Sequence, residues 1–466
     1  MGLILLQWVF FIFSVGMVFY FGWKKPSILP SLLAGAVALD ISINWFPALG
    51  PLGSQLNSLA RLLTVGIIGA ALWRLWIEPE KRQKLKVIFR HFLTRALLIY
   101  LAVGAFSILY SVGRGETAAA VVRLLTLFML YLGICLLADR KHAILPFQVV
   151  HWVGVALVPL ALYEGMTRHF IWRGYLAVGE IARVNATFVD PNIFARYLVL
   201  AIVANLILQY FSAVPWKRRV YFGSLLGLLG GLAITLSRSG VVTLVIVLVL
   251  LLLLIPRKQI IRPIVLIGLI GAVIVALQPT VWHRLLTFRT GFGALDAQRA
   301  YLFKVSWAMF VDHPILGVGL GGFQKMFLTP HYIIYKTFIP YVEGVTVSHT
   351  TVLTIAAELG IIGLAALAWV WSAIVRVLVR LSRVGTIHHS PTRKGGLGSD
   401  LTSKADLDRN RLERYIPGVG YFLWITAVFI SSQAEARFFE DPMIWISMGM
   451  MLSLLGELGS ETKTWV

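Results

Sequence analysis

Apolar residues recur in runs of about 17–22 positions along the chain, the length that crosses a bilayer core as a helix. The runs lie near 3–22, 27–46, 58–77, 96–111, 118–138, 144–164, 192–212, 220–237, 240–255, 263–280, 350–374, 417–434 and 442–458. This pattern predicts an all-α, polytopic integral membrane protein with about 12–13 transmembrane helices. Two polar stretches interrupt it. Residues 281–349 form one large loop between apolar runs, and residues 382–412 form another. The expected organisation is N-terminal transmembrane helices over 1–280, a large extracytoplasmic loop over 281–349, and C-terminal transmembrane helices over 350–466. Residues 382–412 are rich in Gly, Ser, Thr, Asp, Lys and Arg and lack an apolar period, so this stretch is expected to be disordered.

Within the large loop, Tyr301, Val305, Trp307, Met309 and Phe310 alternate with polar residues. That spacing predicts an amphipathic helix lying in the membrane interface. The glycine cluster Gly317-Val-Gly-Leu-Gly-Gly322 lacks the Lys-Ser/Thr of a phosphate loop and reads as a tight turn.

Composition agrees with a bilayer solvent. Of 466 residues, 58% are hydrophobic and 14% charged, and the mean hydropathy is +0.81, a balance that excludes a soluble domain. The single cysteine, Cys135, sits inside an apolar run, so neither a disulfide framework nor a thiolate metal cluster is available. Residues 1–22 have no basic start and no small-residue cleavage site, and are expected to remain as a helix.

A net charge of +21 could point to nucleic acid, but its placement points to membrane topology. Lys and Arg gather at 24–25, 81–95, 140–141, 217–219, 257–262 and 376–414. The positive-inside rule makes these loops cytoplasmic, with the N-terminus outside and the C-terminus inside. The partner implied by the charge is anionic membrane lipid, with no nucleic acid.

Candidate chemistry gathers on the predicted outer side. His349 stands where a polar loop turns into an apolar helix that contains Glu358. Polar groups at membrane depth are costly, so the pair reads either as a site or as an interfacial His with a capping Glu. Arg183, Arg238, Arg284, Arg289 and Arg299 lie outside against the usual bias, and Arg196 lies one turn into the helix that starts at Pro191-Asn192. A guanidinium fork suits phosphate oxygens. One such Arg reads as a lipid-phosphate contact; the set, with His349, reads as a diphosphate clamp. Asp406-Leu-Asp408 could share a cation in a transferase, but it has no folded context here. No outer carboxylate cluster suggests a metal. Arg61, Arg74, Arg123 and Arg196 inside spans could instead mark a transport pathway.

Four segments carry a family resemblance. Arg183-Val-Asn-Ala-Thr-Phe-Val-Asp-Pro-Asn-Ile-Phe-Ala195 resembles the Arg…Thr-Phe-x-x-Pro-Asn-x-x-Ala segment of the bacterial O-antigen ligase and polymerase superfamily. Leu236-Ser-Arg-Ser-Gly240 looks like its Ser-Arg pair at a helix end. Arg299, with Pro314-Ile-Leu-Gly-Val-Gly-Leu-Gly-Gly-Phe323, is similar to its large periplasmic loop. His349-Thr350, then nine residues, then Gly360-x-x-Gly363 resembles the ligase signature His-[Asn/Ser/Gln]-x9-Gly-x-x-Gly, with Thr350 departing from it.

The resemblance implies a GT-C-like membrane glycosyltransferase in the bacterial cytoplasmic membrane, active face outward. Its donor would be a glycan on undecaprenyl diphosphate. Its acceptor would be a sugar hydroxyl, on lipid A-core for a ligase or on a second lipid-linked glycan for a polymerase. Arg183, Arg196, Arg238 and Arg299 would hold the diphosphate. His349, with Arg238 and Arg299, would carry catalysis, and Asn192 and Glu358 would support them. Arginines would take the role of a metal, and no cofactor is implied. A transporter of a small anion such as bicarbonate is the alternative on the same scaffold, although the sequence has no inverted repeat or paired broken helices.

Overall fold

Inside a bilayer no water satisfies the backbone, so segments that close their own hydrogen bonds dominate. A computed structural model of the chain describes residues 2–47, 50, 56–172, 175–176, 182–212, 214–255, 261–265, 267–268, 297–333, 348–383, 400–435 and 438–455. In order, the helices are α1 (Gly2–Lys24), α2 (Leu29–Ala36), α3 (Leu59–Ile77), α4 (Pro79–Arg90), α5 (Phe92–Phe106), α6 (Arg114–Leu137) and α7 (Leu145–Thr167). A two-residue ribbon follows, β1 (Tyr175–Leu176) antiparallel to β2 (Ala182–Arg183), with Tyr175 opposite Arg183. Then come α8 (Pro191–Phe211), α9 (Pro215–Ile234), α10 (Arg238–Leu254), α11 (Ala297–Asp312), α12 (Phe323–Phe327), α13 (Pro330–Ile333), α14 (Thr351–Arg383), α15 (Asp400–Ser431) and α16 (Pro442–Leu454).

Among the described residues, 8 helices are long and apolar enough to cross a membrane. The protein is an all-α polytopic membrane protein. The expected span over 27–46 is not one continuous helix. Pro26 and Pro30 divide its start, α2 ends at Ala36, and Asp40–Trp45 forms a 3-10 turn. The backbone there is satisfied by a distant loop. Thr187 donates its hydroxyl to the Ala38 carbonyl (2.5 Å) and accepts the Ile41 N–H on its own carbonyl (3.1 Å). The expected span at 263–280 leaves the described residues at 269, and Arg284 and Arg289 lie outside them.

A second difference concerns residues 382–412. Helix α14 continues to Arg383, and α15 begins at Asp400, within the stretch expected to lack order. Lys404 and Asp408, and Arg409 and Glu413, stand four apart, a spacing that supports a polar helix without an apolar face. Asp406 and Asp408 both fall within this helix.

Helix α8 is the hub. Every residue from Phe194 to Leu208 is buried, enclosed by α7, α9, α10 and α15. A mostly apolar helix belongs in such a place, and its buried Arg196 and Asn205 find partners there. Phe147 on α7 meets Tyr421 and Trp424 of α15 (ring centroids 4.5 and 4.6 Å apart). The Trp424 indole donates to the Leu200 carbonyl at 2.9 Å, which fastens α15 to the hub. At the periphery, α1 leaves Leu5, Phe13 and Phe19 largely exposed, as a lipid-facing helix requires. At one end of this bundle the N-termini of α8 and α14 meet the turn between α15 and α16, and the N-terminus of α10 meets that of α8.

Candidate functional site

The arginine segment is built from helix caps. Asp190 accepts the Asn192 N–H on its side chain (2.6 Å), and Pro191 takes the first helical position, so α8 starts here. This aims the Asn192 side chain at two neighbours. Arg183, at the end of β2, donates from Nη2 to Asn192 Oδ1 at 2.8 Å and from Nε to the Thr235 carbonyl at 3.2 Å. Ser237 donates from Oγ to the same Asn192 oxygen at 2.9 Å. Ser237 also caps α10 by accepting the Gly240 N–H (3.2 Å), which makes the partly exposed Arg238 the first residue of that helix. Arg183, Asn192 and the Ser237-Arg238 pair are therefore brought together at two converging helix N-termini. Such termini carry partial positive charge and free N–H groups, a favourable setting for an anion.

Glu164 holds this arrangement from below, a role the sequence did not reveal. Fully buried near the end of α7, its carboxylate accepts the N–H groups of Ile171 (3.0 Å), Asn185 (3.2 Å) and Ala186 (2.8 Å). The only sequence signal was a lone acid near the end of an apolar run.

His349 sits between Ser348 and Thr350 at the start of α14. Thr350 is the cap: its hydroxyl accepts the Leu353 N–H at 3.2 Å. The next residue, Thr351, donates to Ser432 Oγ at 2.9 Å, and the Val352 N–H donates to the Gln433 side chain at 3.4 Å. The beginning of α14 is thereby fixed to the turn after α15. Among the described residues, four that are not glycine adopt left-handed backbone angles, and three lie in the segments that carry the family resemblance: Ala186 (φ 48°), Leu236 (φ 52°) and His349 (φ 60°). Such conformations cost energy and persist where surrounding contacts enforce them.

The glycine segments form the third part. Helix α14 breaks at Gly360 (φ 62°, ψ −156°), and the Pro314–Gly319 strip lies against the break. Val318 N–H donates to the Ala357 carbonyl (2.9 Å), Gly319 N–H to the Glu358 carbonyl (2.8 Å), and Ile361 N–H to the Pro314 carbonyl (2.8 Å). These bonds replace the intrahelical ones lost at the break. A Cβ on Gly360 would lie 2.4 Å from the Ile315 carbonyl oxygen, and one on Gly317 would lie 2.3 Å from the Glu358 backbone carbon. Both positions combine positive φ with backbone contact, so neither tolerates a side chain. The tight turn expected at Gly317–Gly322 is thus one half of a clasp whose other half is Gly360. Glu358 belongs to this clasp: buried, it accepts the Phe323 N–H on Oε1 (3.4 Å). A largely apolar cavity of about 360 Å³, lined by Tyr110, Ile315, Leu316, Val318 and Met326, opens beside it.

The remaining arginines divide. Arg299 lies on α11, which packs along α14; its side chain is outside the described residues. Arg196, expected on the diphosphate, has its fork taken by two acids: Nη1 meets Glu435 Oε2 and Nη2 meets Asp441 Oδ2, each at 3.0 Å. Both terminal nitrogens of that guanidinium are thus held by carboxylates. Arg61 bonds Asn57 (2.9 Å), Arg74 pairs with Glu78, and Arg123 pairs with Glu440 (3.0 Å). Arg61 and Arg74 stand near the two ends of α3. At the end of α11, Asp312 accepts the Tyr332 hydroxyl (2.5 Å) and faces the His331 ring (3.2 Å). These partners, Tyr332 first, hold its carboxyl below the usual range.

Residues 222–368 match the family model for O-antigen ligase. The match covers less than half of the chain. It takes in Ser237-Arg238, α11, both halves of the glycine clasp and His349, while Arg183 and Asn192 precede it. No curated protein matches the chain.

Proposed function

We propose that this chain, a member of the O-antigen ligase and polymerase superfamily through residues 222–368, transfers a glycan from undecaprenyl diphosphate to a sugar hydroxyl. The match supports an O-antigen ligase or polymerase type of membrane glycosyltransferase in general. Donor, acceptor and stereochemistry are our reading of the site. One observation carries it: Arg183 and the Ser237-Arg238 pair converge on Asn192 at two helix N-termini, and a strained His349 opens a third helix at the same end.

In this reading Arg183 and Arg238, joined by Arg299 from α11, hold the diphosphate. Negative charge grows on the leaving phosphate oxygen as the glycosidic bond breaks, and fixed cations at that point stabilise the transition state. The acceptor oxygen forms the new bond to the anomeric carbon from the opposite face, which inverts its configuration. His349 takes the hydroxyl proton, a task suited to a side chain that titrates near neutrality. The lipid diphosphate departs with the electron pair of the broken bond. The apolar cavity beside the glycine clasp gives room for a lipid segment of either substrate.

The site would face outward from the bacterial cytoplasmic membrane, with His349, Arg183 and Arg299 outside and residues 384–399 inside. An impermeant thiol reagent tests this, since the only native cysteine, Cys135, is buried. Labelling of a cysteine at position 299 only after the cytoplasmic side is opened would remove the site from its substrate. The direct test is transfer in detergent with a lipid-linked glycan and no gradient. Gradient-driven anion uptake with no glycan product would instead favour transport.

A further inference from the structure

The proposed site is divided between two bodies. Arg183, Asn192 and Arg238 stand on α8, α10 and the ribbon; His349 leads α14. Between them lies the turn after α15, and a buried ion cluster ties that turn to the hub. Arg196 stands one turn beyond Asn192 on α8. Its two terminal nitrogens each hold one acid, Glu435 and Asp441, at 3.0 Å, and all three side chains are no more than 10% exposed. Glu435 follows the Ser432–Ala434 turn, the turn on which Thr351 and Val352 of α14 are fastened.

We propose that Arg196 is a positioning residue that sets the placement of His349 relative to the arginine cluster. The path is short and continuous: Asn192, Arg196, Glu435, Ser432, Thr351. A guanidinium bridges two carboxylates with two fixed directions, which a lysine's single ammonium does not reproduce. Removing charged partners singly from a buried cluster is costly, whereas replacing the whole cluster by uncharged residues of similar size is often tolerated. By that tendency the charges are not needed merely to fill this space. Their geometry does something an uncharged filling would not, because it fixes direction at the point where the two bodies meet. The effect on rate rests on the transferase reading; the joint itself does not.

Two variants test it: Arg196→Lys, and the uncharged triple Arg196→Met with Glu435→Gln and Asp441→Asn. Spin labels on cysteines replacing the exposed Val241 of α10 and Val352 of α14 report the separation of the two bodies. The expected result is a broadened Val241–Val352 distance distribution in both variants. In transfer assays kcat should fall about a hundredfold, the scale of a misplacement near 1 Å, with donor KM within about twofold of wild type. A wild-type distance distribution in the triple variant overturns the proposal, and so does wild-type kcat in either folded variant. Where Arg196→Lys does not fold, the triple variant alone decides. Broadened distances together with no transfer by the wild-type protein keep the joint and overturn the transferase reading instead.

Discussion

Two arginines reach the same end of α8 and are used in opposite ways. Arg183 enters from the ribbon and bonds neutral oxygens, the Asn192 amide and the Thr235 carbonyl. Arg196 rises from the helix itself and bonds two carboxylates. Paired carboxylates take both terminal nitrogens of a guanidinium and offset its charge, as they do for Arg196. Counted as cations near one membrane face, the two look alike. The second has an acid on each terminal nitrogen and suits a joint; the first shares the Asn192 oxygen with Ser237 and is the anion ligand of our proposal. The same distinction separates the groups expected to act on substrate from those expected to hold the frame.

The largest effect should come from His349, on the acting side. His349→Ala should lower single-turnover transfer at saturating donor by about a hundred- to ten-thousandfold, the range of a general base, with the melting temperature near wild type. His349→Gly sharpens this. Glycine accepts the left-handed backbone at φ 60° without strain, so thermal stability should rise while transfer stays lost. Near-normal single turnover in either variant would remove the base role.

On the frame side, Gly360→Ala should act through stability. Its methyl would enter the Ile315 carbonyl, and its backbone would be strained, together costing about 1–3 kcal/mol or more. A lowered melting temperature with normal kcat in the surviving folded fraction is the expected signature. An unchanged melting curve would mean that the clasp opens freely.

Arg183→Lys should have a smaller and different effect. Loss of one charge-assisted hydrogen bond corresponds to about 1.5–3 kcal/mol, or roughly tenfold or more in donor affinity, so KM should rise more than kcat falls. Arg196→Lys should show the reverse split. Matching kinetic signatures in the two Lys variants would erase the contrast between these arginines. The smallest effect is expected from deleting residues 386–396, which lie between α14 and α15 in sequence and carry no apolar period; transfer should stay within about twofold. Loss of transfer in normally inserted protein would assign that segment a role.

Much of the bundle was legible in the chain. Asp190-Pro191 before an apolar run announces α8 by its cap, and the polar-to-apolar change at Thr350 announces α14. Long-range partners were not legible. The 27–46 run reads as a span until Thr187 is known to satisfy its backbone. Arg196 reads as a phosphate ligand, and its partners Glu435 and Asp441, distant in sequence, are visible only in the fold. Gly360 and Gly317 were each visible as glycines, but only the fold shows that they face each other. Glu164 carried no pattern at all, since a single buried acid can serve backbone N–H groups anywhere nearby. The polar start of α15 was missed because helices are most easily recognised by an apolar face, which it lacks.

Thr350 has a consequence for how such chains are found. Its hydroxyl does the work of a helix cap on the Leu353 N–H, and Asn or Ser would serve that purpose equally well. The residue after the histidine is then a matter of grammar rather than vocabulary: any short side chain that can accept this N–H keeps the sentence readable. A search pattern that admits only the usual letters at this position would pass over chains spelled like this one. A pattern written as histidine, any good cap, nine residues and the paired glycines would retrieve them.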